Sequence, residues 1–465
     1  MSATAEFIDT TAEDAPRLDR LRVLTLLASI YFAIYWGNMS PDLPVSTGIA
    51  MVALSLAGVL MPGRTVLLAL NAAAFVAMYL VLSPQPSNNQ LTGFFFSLIF
   101  LTAYAQKGGL LGQPAARDAL FDAVAGPGRW ILAIMYFYGI YHKINADFLD
   151  PQVSCAVELY QLLAWRVGLA DWGVGHYAAI YATFVFEGIA MLALFMHRIK
   201  WIGFAIGIPF HVIIGFTGYQ FYMDFSTIVL VLYCLFLPRQ GAEDLVARLT
   251  ERLGGPARAA LMGRAVLVFA VGAYATDLAL ARTVEPSLWS FQPFFAVYAA
   301  AFYAFCLCAV PWGGQARQSY SWSWAMVLPV LYLINGFSPY LGLRTENAIA
   351  MYSNLHVEAG QTNHLIHGVL PGTATYTDEV LRIVAVERAS AEATRAILPG
   401  RDLVRYEVDR MLAQDPNLVL VVDGPAGRMR TDAGWQNTYA ETPWILRKYL
   451  LFKPVDFERP KVCTH

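Results

Sequence analysis

Charged residues are scarce in this sequence. Asp, Glu, Lys and Arg together make up 14% of the 465 residues, whereas about 25% is usual for a soluble globular protein. Hydrophobic residues reach 57%, which excludes an ordinary water-soluble enzyme. The 32 basic and 34 acidic residues nearly cancel. No Lys/Arg-rich run is present that could follow a phosphate backbone, so we expect no nucleic-acid partner.

Cysteine is also rare. The five cysteines are too few and too scattered for a disulfide framework, and no CxxC or Cys/His spacing typical of a metal site occurs. We therefore expect no bound metal, and we expect four of the five to pack as small hydrophobic side chains. The cysteines are Cys155, Cys234, Cys306, Cys308 and Cys463.

Long apolar runs recur through residues 21–337. A transmembrane helix needs about 20 mostly apolar residues, and the runs predict a polytopic bundle of about 9 to 11 such helices. Several runs are short, so tilt or flanking interfacial residues are needed. The predicted spans are 21–37, 47–62, 65–83, 91–110, 128–143, 174–196, 200–217, 220–237, 264–281, 291–312 and 321–336, and residues 114–126 and 153–169 are predicted as helices in the membrane interface.

Lys and Arg are distributed unevenly between the loops that join these spans. They gather in alternate loops, as in Arg198 with Lys200, whereas the loop 38–46 contains neither residue. Because basic residues accumulate on the cytoplasmic side, this pattern predicts a cytoplasmic N-terminus and an extracytoplasmic C-terminus. Residues 1–20 lack the basic stretch and apolar core of a cleaved signal peptide and are predicted as a cytoplasmic leader.

Composition changes after the last predicted span. In residues 338–465 charges become dense and the apolar runs shorten to strand length. VLRIVAVERA (380–389) and LVLVVDG (418–424) predict strands, and DLVRYEVDRMLA (402–413) predicts a helix. The predicted fold class is therefore an all-α polytopic membrane bundle with a C-terminal extracytoplasmic α+β domain.

Few ionisable side chains fall inside the predicted spans, and each needs a reason, because a charge at mid-membrane costs about 2.5 to 3.5 kcal/mol. Lys143 ends the fifth span, and Tyr136 lies two helical turns before it on the same face. One interpretation of Lys143 is a snorkelling cation at a helix end. The other is a general base, because a lysine in a partly dry pocket loses its proton more easily.

Glu187 and His211 each stand alone among apolar neighbours. Because such residues rarely face lipid, two roles are open: a buried Glu–His hydrogen bond that joins spans six and seven, or membership of a polar site. Asp224 lies near the outer end of the eighth span, where it could pair with Lys143 or cap the start of a helix.

The sequence around Lys143 resembles a known family. The block YFYGIYHKINADFLDPQ is followed by a span with an inner Glu, the turn HRIK, the GIPFH helix and FYMDFSTIVLVLYCLFLP. This order is similar to that in the membrane domain of vitamin K-dependent gamma-glutamyl carboxylases and their bacterial relatives, the HTTM family, over roughly residues 20–240. The family's aromatic helix ending in lysine, followed by Leu-Asp-Ala-Asp-Trp, is similar to the stretch from Lys143 to Phe148 here.

The resemblance implies that Lys143 is the catalytic base that deprotonates a reduced quinone of the vitamin K or menaquinol type. In the family, the quinone anion reacts with O2, and the strong base that results removes a proton from the γ-carbon of a glutamate, which captures CO2. The resemblance also implies pocket positions for His211, which matches the histidine of the family's PFH sequence, and for Asp224. Tyr136 and Glu187 complete the expected quinone pocket.

One family element is changed in this chain. The Asn-Asn-His triplet that precedes the family's fourth span reads Asn88-Asn89-Gln90 here. Gln can donate a hydrogen bond to an anion, but it cannot be charged or shuttle a proton. The resemblance therefore implies quinone contact by Asn89 and Gln90 and gives weaker support to full carboxylation.

A second segment that resembles bacterial family members begins at Ser338 and reads SPYLGLRTENAIAMYSNLHVEAGQTNHLI. It could line the outer mouth of the bundle, or it could be a plain hairpin that anchors the outer domain. Its polar residues are Arg344, Glu346, Asn354, His356, Asn363 and His364.

Two classes of function follow from these patterns. The first is a multi-pass enzyme of the cell's inner (plasma) membrane, similar to the carboxylases, that receives a quinol from the lipid and a protein or peptide substrate from the extracytoplasmic side. The alternative is a non-catalytic membrane scaffold or a lipid- or partner-binding protein. A transporter is less favoured, because the sequence contains no inverted repeat.

Overall fold

The computed structural model describes most of the chain. The residues it describes are 19–39, 43–109, 117–216, 220–281, 292–310, 323–350, 352–368, 370, 376–391, 398–455 and 463. The cytoplasmic leader predicted at residues 1–20 lies almost wholly outside these ranges.

The described residues are mostly helical. Apolar residues with good helix propensity fill the long helices, and prolines and glycines mark many of their ends. The helices are α1 Arg20–Met39, α2 Val45–Leu60, α3 Thr65–Leu82, α4 Asn88–Gln106, α5 Arg117–Tyr141, α6 Ala146–Leu149, α7 Cys155–Arg166, α8 Gly173–Phe195, α9 Lys200–Gly215, α10 Gln220–Cys234, α11 Arg239–Arg252, α12 Pro256–Ala281, α13 Gln292–Ala309, α14 Val327–Gly336, α15 Arg405–Gln414 and α16 Trp444–Arg447.

Three helices among the described residues are long and apolar enough to cross a membrane: Thr65–Leu82, Gly173–Phe195 and Pro256–Thr276. The pair Tyr222–Cys234 and Arg239–Arg252, bent by 100° at its break, would add a fourth. Shorter apolar helices occupy four more of the predicted spans: Val45–Leu60, Lys200–Gly215, Phe294–Ala309 and Trp324–Gly336.

Helix α5 differs from its sequence prediction. We expected an interfacial helix at 114–126 and a separate span from 128, but one helix runs through Pro127. A proline inside a helix removes one hydrogen-bond donor, and its ring crowds the carbonyl four residues earlier, so a continuous helix here needs support from packing. Gly128 allows close packing here, since a Cβ at this position would collide with Leu235.

The chain forms two compact units. The first comprises residues 1–75, 96–132 and 189–328. In it α1 packs against α2 and α10, and α9 packs against α10 and α13. Charged residues join the start of α1 to the start of α5, where Arg20 lies 3.4 Å from Asp122 and Arg117 forms an ion pair with Asp19.

The second unit comprises residues 76–95, 133–188 and 329–465. It contains an antiparallel sheet in the order β2-β1-β3-β4. The predicted strands at 380–389 and 418–424 are confirmed, whereas the helix predicted at 402–413 begins only at Arg405 because Asp402–Val404 pairs with β1 instead. The strands are β1 Val380–Arg388, β2 Asp402–Val404, β3 Val419–Gly424 and β4 Gly427–Arg430.

A disulfide joins Cys155 at the start of α7 to Cys463. We expected no disulfide framework and four cysteines packed as small hydrophobic side chains. The disulfide contradicts the first expectation, and Cys308 is exposed, whereas Cys234 and Cys306 are buried free thiols as expected. The two disulfide-bonded residues are 308 positions apart. No spacing rule in a sequence reveals a pairing of that kind, because connectivity depends on the tertiary fold.

Candidate functional site

Lys143 lies in the turn that follows α5, where its backbone N–H donates to the Ile140 carbonyl. Its Nζ donates to Oε1 of Glu187, on α8, at 2.9 Å. Both side chains are only 9% exposed, so the ammonium and the carboxylate form a buried pair. One expectation was a hydrogen bond between Glu187 and His211. The partner of Glu187 is Lys143 instead.

The second oxygen of Glu187 is in an unusual position. Oε2 is buried and accepts no hydrogen bond from the residues that the structure describes. A Cβ added to Gly139 would lie 3.0 Å from Oε2, so the glycine allows α5 to approach the carboxylate. The Phe148 ring, with its centroid 5.8 Å from the Lys143 Nζ, helps to shield the pair from water. An unsatisfied carboxylate oxygen in a dry site is costly unless a donor reaches it.

The geometry of the pair permits proton transfer. At 2.9 Å, a proton can pass from the ammonium to the carboxylate without movement of either backbone. Two charges in a dry site are costly. A base role for Lys143 would require its proton to pass to Glu187, and the short contact makes that transfer geometrically possible.

Tyr136 lies in α5, in the same compact unit as Lys143, and its side chain is buried, with 2% of its surface exposed.

The exposed apolar side chains of α8 lie on a different face from Glu187. Tyr177, Tyr181 and Val185, spaced four residues apart, are 53%, 58% and 50% exposed. Side chains four residues apart lie on the same face of a helix, so these three form one apolar stripe. An exposed apolar stripe of this kind is suited to contact with lipid or a lipid-soluble molecule.

Asn89 and Gln90 have structural partners. Oε1 of Gln90 accepts a hydrogen bond from the Ser87 backbone N–H at 2.8 Å, and the Ser87 hydroxyl bonds to Oδ1 of Asn89. The Gln90 side chain therefore caps the Ser87 N–H at the start of α4, which is one of the two bonds of a capping box. The signature S-x-x-Q was present in the sequence, but the resemblance drew attention to a different role for Gln90.

Replacing Gln90 with Ala is expected to lower the free energy of unfolding by about 1 kcal/mol, because the Ser87 N–H loses its acceptor. Thermal unfolding in detergent would measure the change, and Gln90→Glu, which keeps an oxygen at this position, should remain close to wild type. Equal losses in both variants would show that the cap contributes little.

His211 and Asp224 belong to the other unit. The His211 ring packs edge-on against Phe225 with centroids 5.5 Å apart, and its carbonyl accepts from the Ser226 hydroxyl at 2.6 Å. Asp224 lies within α10, not at its start, so the expectation of a helix cap is wrong. The Asp224 carboxylate accepts a hydrogen bond from Nδ2 of Asn38 at 2.9 Å. Lys143, the other partner considered for Asp224, is bonded to Glu187.

The first polar residues of the outer segment bond mainly to backbone. Arg344 donates to the Glu346 carbonyl at 2.8 Å and to the Pro84 carbonyl at 3.3 Å. Asn347 also donates to Pro84, at 3.2 Å. Asn347 and Asn354 adopt left-handed conformations, with φ of 56° and 53°, which Asn tolerates better than most residues. These contacts fix the path of the segment.

The later residues of the outer segment bond to the loop after Lys143. Oδ1 of Asn354 accepts from the Cys155 N–H at 2.9 Å. Asn363 donates to Asp147 at 2.9 Å. Asn145, which the sequence analysis left without a role, donates to the His142 carbonyl at 2.7 Å and caps α6. These bonds are those of an anchoring segment, and they hold the turn that contains Lys143.

Histidines and tyrosines cluster beside this turn. His142 is fully buried, and its Nδ1 lies 2.9 Å from the Tyr340 hydroxyl. His364 donates from Nε2 to the Tyr141 carbonyl at 3.0 Å. Burial lowers the pKa of His364, and the nearby charge of His367 lowers it further, against the opposing effect of that hydrogen bond. His364 is therefore a neutral structural group at neutral pH. His356, also expected at the outer mouth, lies 3.8 Å from the buried Glu358.

No group of three or more His, Cys, Asp or Glu that could hold a metal ion occurs among the described residues. Comparisons of the chain with protein-family models, with curated proteins and with solved structures found no match. The function proposed below therefore rests on the residues and contacts of this chain, together with the resemblance read from its sequence.

Proposed function

We propose that the chain is a membrane enzyme in which Lys143 and Glu187 together take a proton from a lipid-soluble reduced quinone. The observation that carries this proposal is the buried pair with one carboxylate oxygen unpartnered among the described residues. A pair that served only to join two helices would gain from satisfying both oxygens. The resemblance to quinone-dependent carboxylases supports the same assignment of Lys143.

The chain's own groups suffice for the proton steps. Lys143 passes its proton to Glu187 across 2.9 Å, and its neutral amine then serves as the base. After the amine has taken the proton of the quinone hydroxyl, the pair holds one proton more than at the start, and release of one proton to water or to the product restores the ion pair. Phe148 and the Gly139 face of α5 exclude water from the pair, which keeps the neutral form accessible.

A reduced quinone fits this site by two criteria. Its hydroxyl could donate to the buried Oε2 of Glu187, which accepts no bond from the described residues. The exposed apolar stripe on another face of α8 indicates that the helix which carries Glu187 also contacts lipid, the phase in which such a quinone dissolves. When bound, such a molecule supplies an acidic hydroxyl together with the electrons that reduce O2. Addition of CO2 to a glutamate of a protein or peptide is the further reaction that the resemblance adds to this proposal.

The proposed setting is the inner membrane, with about 9 to 11 spans, a cytoplasmic N-terminus and an extracytoplasmic C-terminus. The basic residues of alternate loops support this orientation. The Cys155–Cys463 disulfide supports it independently, because disulfides persist in oxidising compartments outside the cytoplasm. The residues that surround Lys143 are then reached by soluble substrates from the outside.

Comparison of wild type with Lys143→Ala tests the proposal. The full-length protein in nanodiscs would be supplied with a reduced naphthoquinone, and O2 consumption would be followed together with quinone formation. We expect at least a 100-fold lower turnover in Lys143→Ala, because general-base catalysis typically contributes 10²- to 10⁴-fold. Lys107→Ala, which removes an amine outside the site, is the matched control.

Equal turnover in wild type and Lys143→Ala would contradict the enzymatic proposal. The alternative function is then a scaffold, which one observation favours: the polar side chains of the outer segment bond largely to backbone, as in an anchoring element. A scaffold would retain its fold and partner binding when the site is neutralised.

A further inference from the structure

Two large apolar side chains are exposed on the short helix α16 of the C-terminal domain. Trp444 is 67% exposed and Ile445 is 69% exposed. On the opposite side of this helical turn, Leu446 and Tyr449 pack against a buried cluster that contains Leu450. One side of α16 is therefore held by the core of its domain, and the other side presents an aromatic and an aliphatic side chain.

Lys448 joins the exposed side of α16 to the end of α3. Its backbone N–H donates to the Trp444 carbonyl at 3.2 Å, and residues four apart share a helical face. Its Nζ donates to the carbonyls of Leu80, Val81 and Ser83 at 3.3, 3.1 and 3.2 Å. These carbonyls match the three donors of an ammonium. All five residues belong to the second unit.

The end of α3 is itself apolar and exposed. Leu80 is 55% exposed and Val81 is 71% exposed. Among the described residues, α3 is one of the three helices that are long and apolar enough to cross a membrane. The last carbonyls of a spanning helix have no partner within the helix, and near hydrocarbon such groups are costly unless a donor reaches them. Lys448 is that donor for Leu80 and Val81.

We propose that Trp444 and Ile445 insert into the outer leaflet of the membrane beside the end of α3, so that a lipid surface is the partner of this face of the C-terminal domain. The bonds of Lys448 place the exposed side of α16 next to the exposed end of a candidate span. Tryptophan is enriched where a membrane meets water, and a lysine there extends its amine to polar groups while its stem contacts apolar ones.

The apolar character of the surface determines which lipids it requires. The Lys448 ammonium is engaged by backbone carbonyls, and the two side chains that insert are uncharged. Insertion therefore depends on burial of apolar area, and a neutral phosphatidylcholine membrane is sufficient. The side of the membrane follows from the extracytoplasmic C-terminus proposed above.

The test measures the surroundings of single labelled positions in the full-length protein, in phosphatidylcholine nanodiscs that hold one protein each. In a Cys308→Ser background, which lacks the exposed free thiol, Ile445→Cys would be labelled with the fluorophore nitrobenzoxadiazole. We expect emission shifted to the blue, strong quenching by phosphatidylcholine with a doxyl group on its acyl chain, and weak quenching by aqueous iodide. Addition of Trp444→Ala should shift the emission to the red and strengthen the iodide quenching, because the larger inserting side chain is lost.

Two reference positions calibrate the measurement. Val81→Cys reports whether the end of α3 lies in lipid, and its label should be quenched by the doxyl lipid. Arg428→Cys lies on β4 of the same domain, at a side chain that is 65% exposed, and its label should be quenched by iodide and not by lipid. Both substitutions are at exposed positions, so they leave the core of the domain intact.

The proposal is overturned if iodide quenches the label at Ile445→Cys as strongly as that at Arg428→Cys. Shielding from iodide without quenching by the doxyl lipid also overturns it, because that result assigns this face to a second copy of the chain. Lipid quenching at Val81→Cys alone would place α16 above the membrane, and quenching at neither position would show that α3 does not end in lipid. None of these measurements involves Lys143 or quinol oxidation, so the two proposals stand or fall separately.

Discussion

Removal of one partner of the Lys143–Glu187 pair is expected to destabilise the protein far more than removal of both. Lys143→Met leaves a lone carboxylate in a dry site, and Glu187→Leu leaves a lone ammonium. Breaking a buried pair in this way costs about 3 to 5 kcal/mol. The double variant leaves no uncompensated charge, and apolar replacements of similar volume are often neutral or stabilising.

Denaturant or thermal unfolding of the two single variants and the double variant gives a double-mutant cycle. We expect the double variant to be close to wild type, so the coupling energy should be about equal to the sum of the two single losses, about 6 to 10 kcal/mol. Additive losses would show that Lys143 and Glu187 are not coupled and would remove the structural basis of the proposed site. The double variant also separates stability from chemistry, because it should be folded but unable to oxidise a reduced quinone.

The sequence identified both members of this pair but not the pair itself. The hydropathy of the sequence shows which ionisable residues lie inside apolar segments, and this criterion singled out Lys143 and Glu187 as site candidates. It does not show which partner each residue finds. The partners lie 44 residues apart, Lys143 in the turn after α5 and Glu187 on α8, and their contact depends on how these two parts of the chain pack.

Short-range sequence patterns predicted local structure better than they predicted contacts between distant residues. The alternating pattern of 380–389 and the apolar run of 418–424 predicted β1 and β3. Ser87 and Gln90 form a cap whose signature is visible in four consecutive residues. The short strand Asp402–Val404 was missed because its three residues precede a helix and only pairing with β1 makes them a strand.

Left-handed backbone conformations in the outer segment could not be predicted. Asn347, Ile349, Tyr352 and Asn354 all have positive φ, between 52° and 61°. Asn is the only residue type among these that favours such a conformation. The hydrogen bonds from this segment to Pro84 and Cys155 compensate the cost of the backbone. These hydrogen bonds join residues that are distant in the sequence, so they exist only in the folded chain and no local sequence pattern reveals them.

The disulfide allows a direct test of the proposed orientation. Cys155 and Cys463 should be oxidised in cells, so neither should react with a maleimide before reduction. In a Cys308→Ser background, which removes the exposed free thiol, Cys155→Ser leaves Cys463 as a single accessible thiol. A membrane-impermeant maleimide should label it in intact spheroplasts, because the C-terminus is expected outside. Labelling that requires lysis would reverse the orientation, and with it the side from which a soluble substrate reaches Lys143.

Loss of the same disulfide is expected to lower stability. Cys155→Ser combined with Cys463→Ser frees the C-terminal residues from α7, and a disulfide that closes a long loop typically contributes about 2 to 4 kcal/mol. Thermal unfolding under non-reducing conditions would measure the loss, and wild type treated with a reductant should reproduce it. Cys234→Ala, at a buried free thiol, gives a control for cysteine removal itself. If the reduced and oxidised proteins unfold at the same temperature, the disulfide does not constrain the fold. The turn at Lys143 is then anchored by its hydrogen bonds, among them those of Asn145, Asn363 and His364.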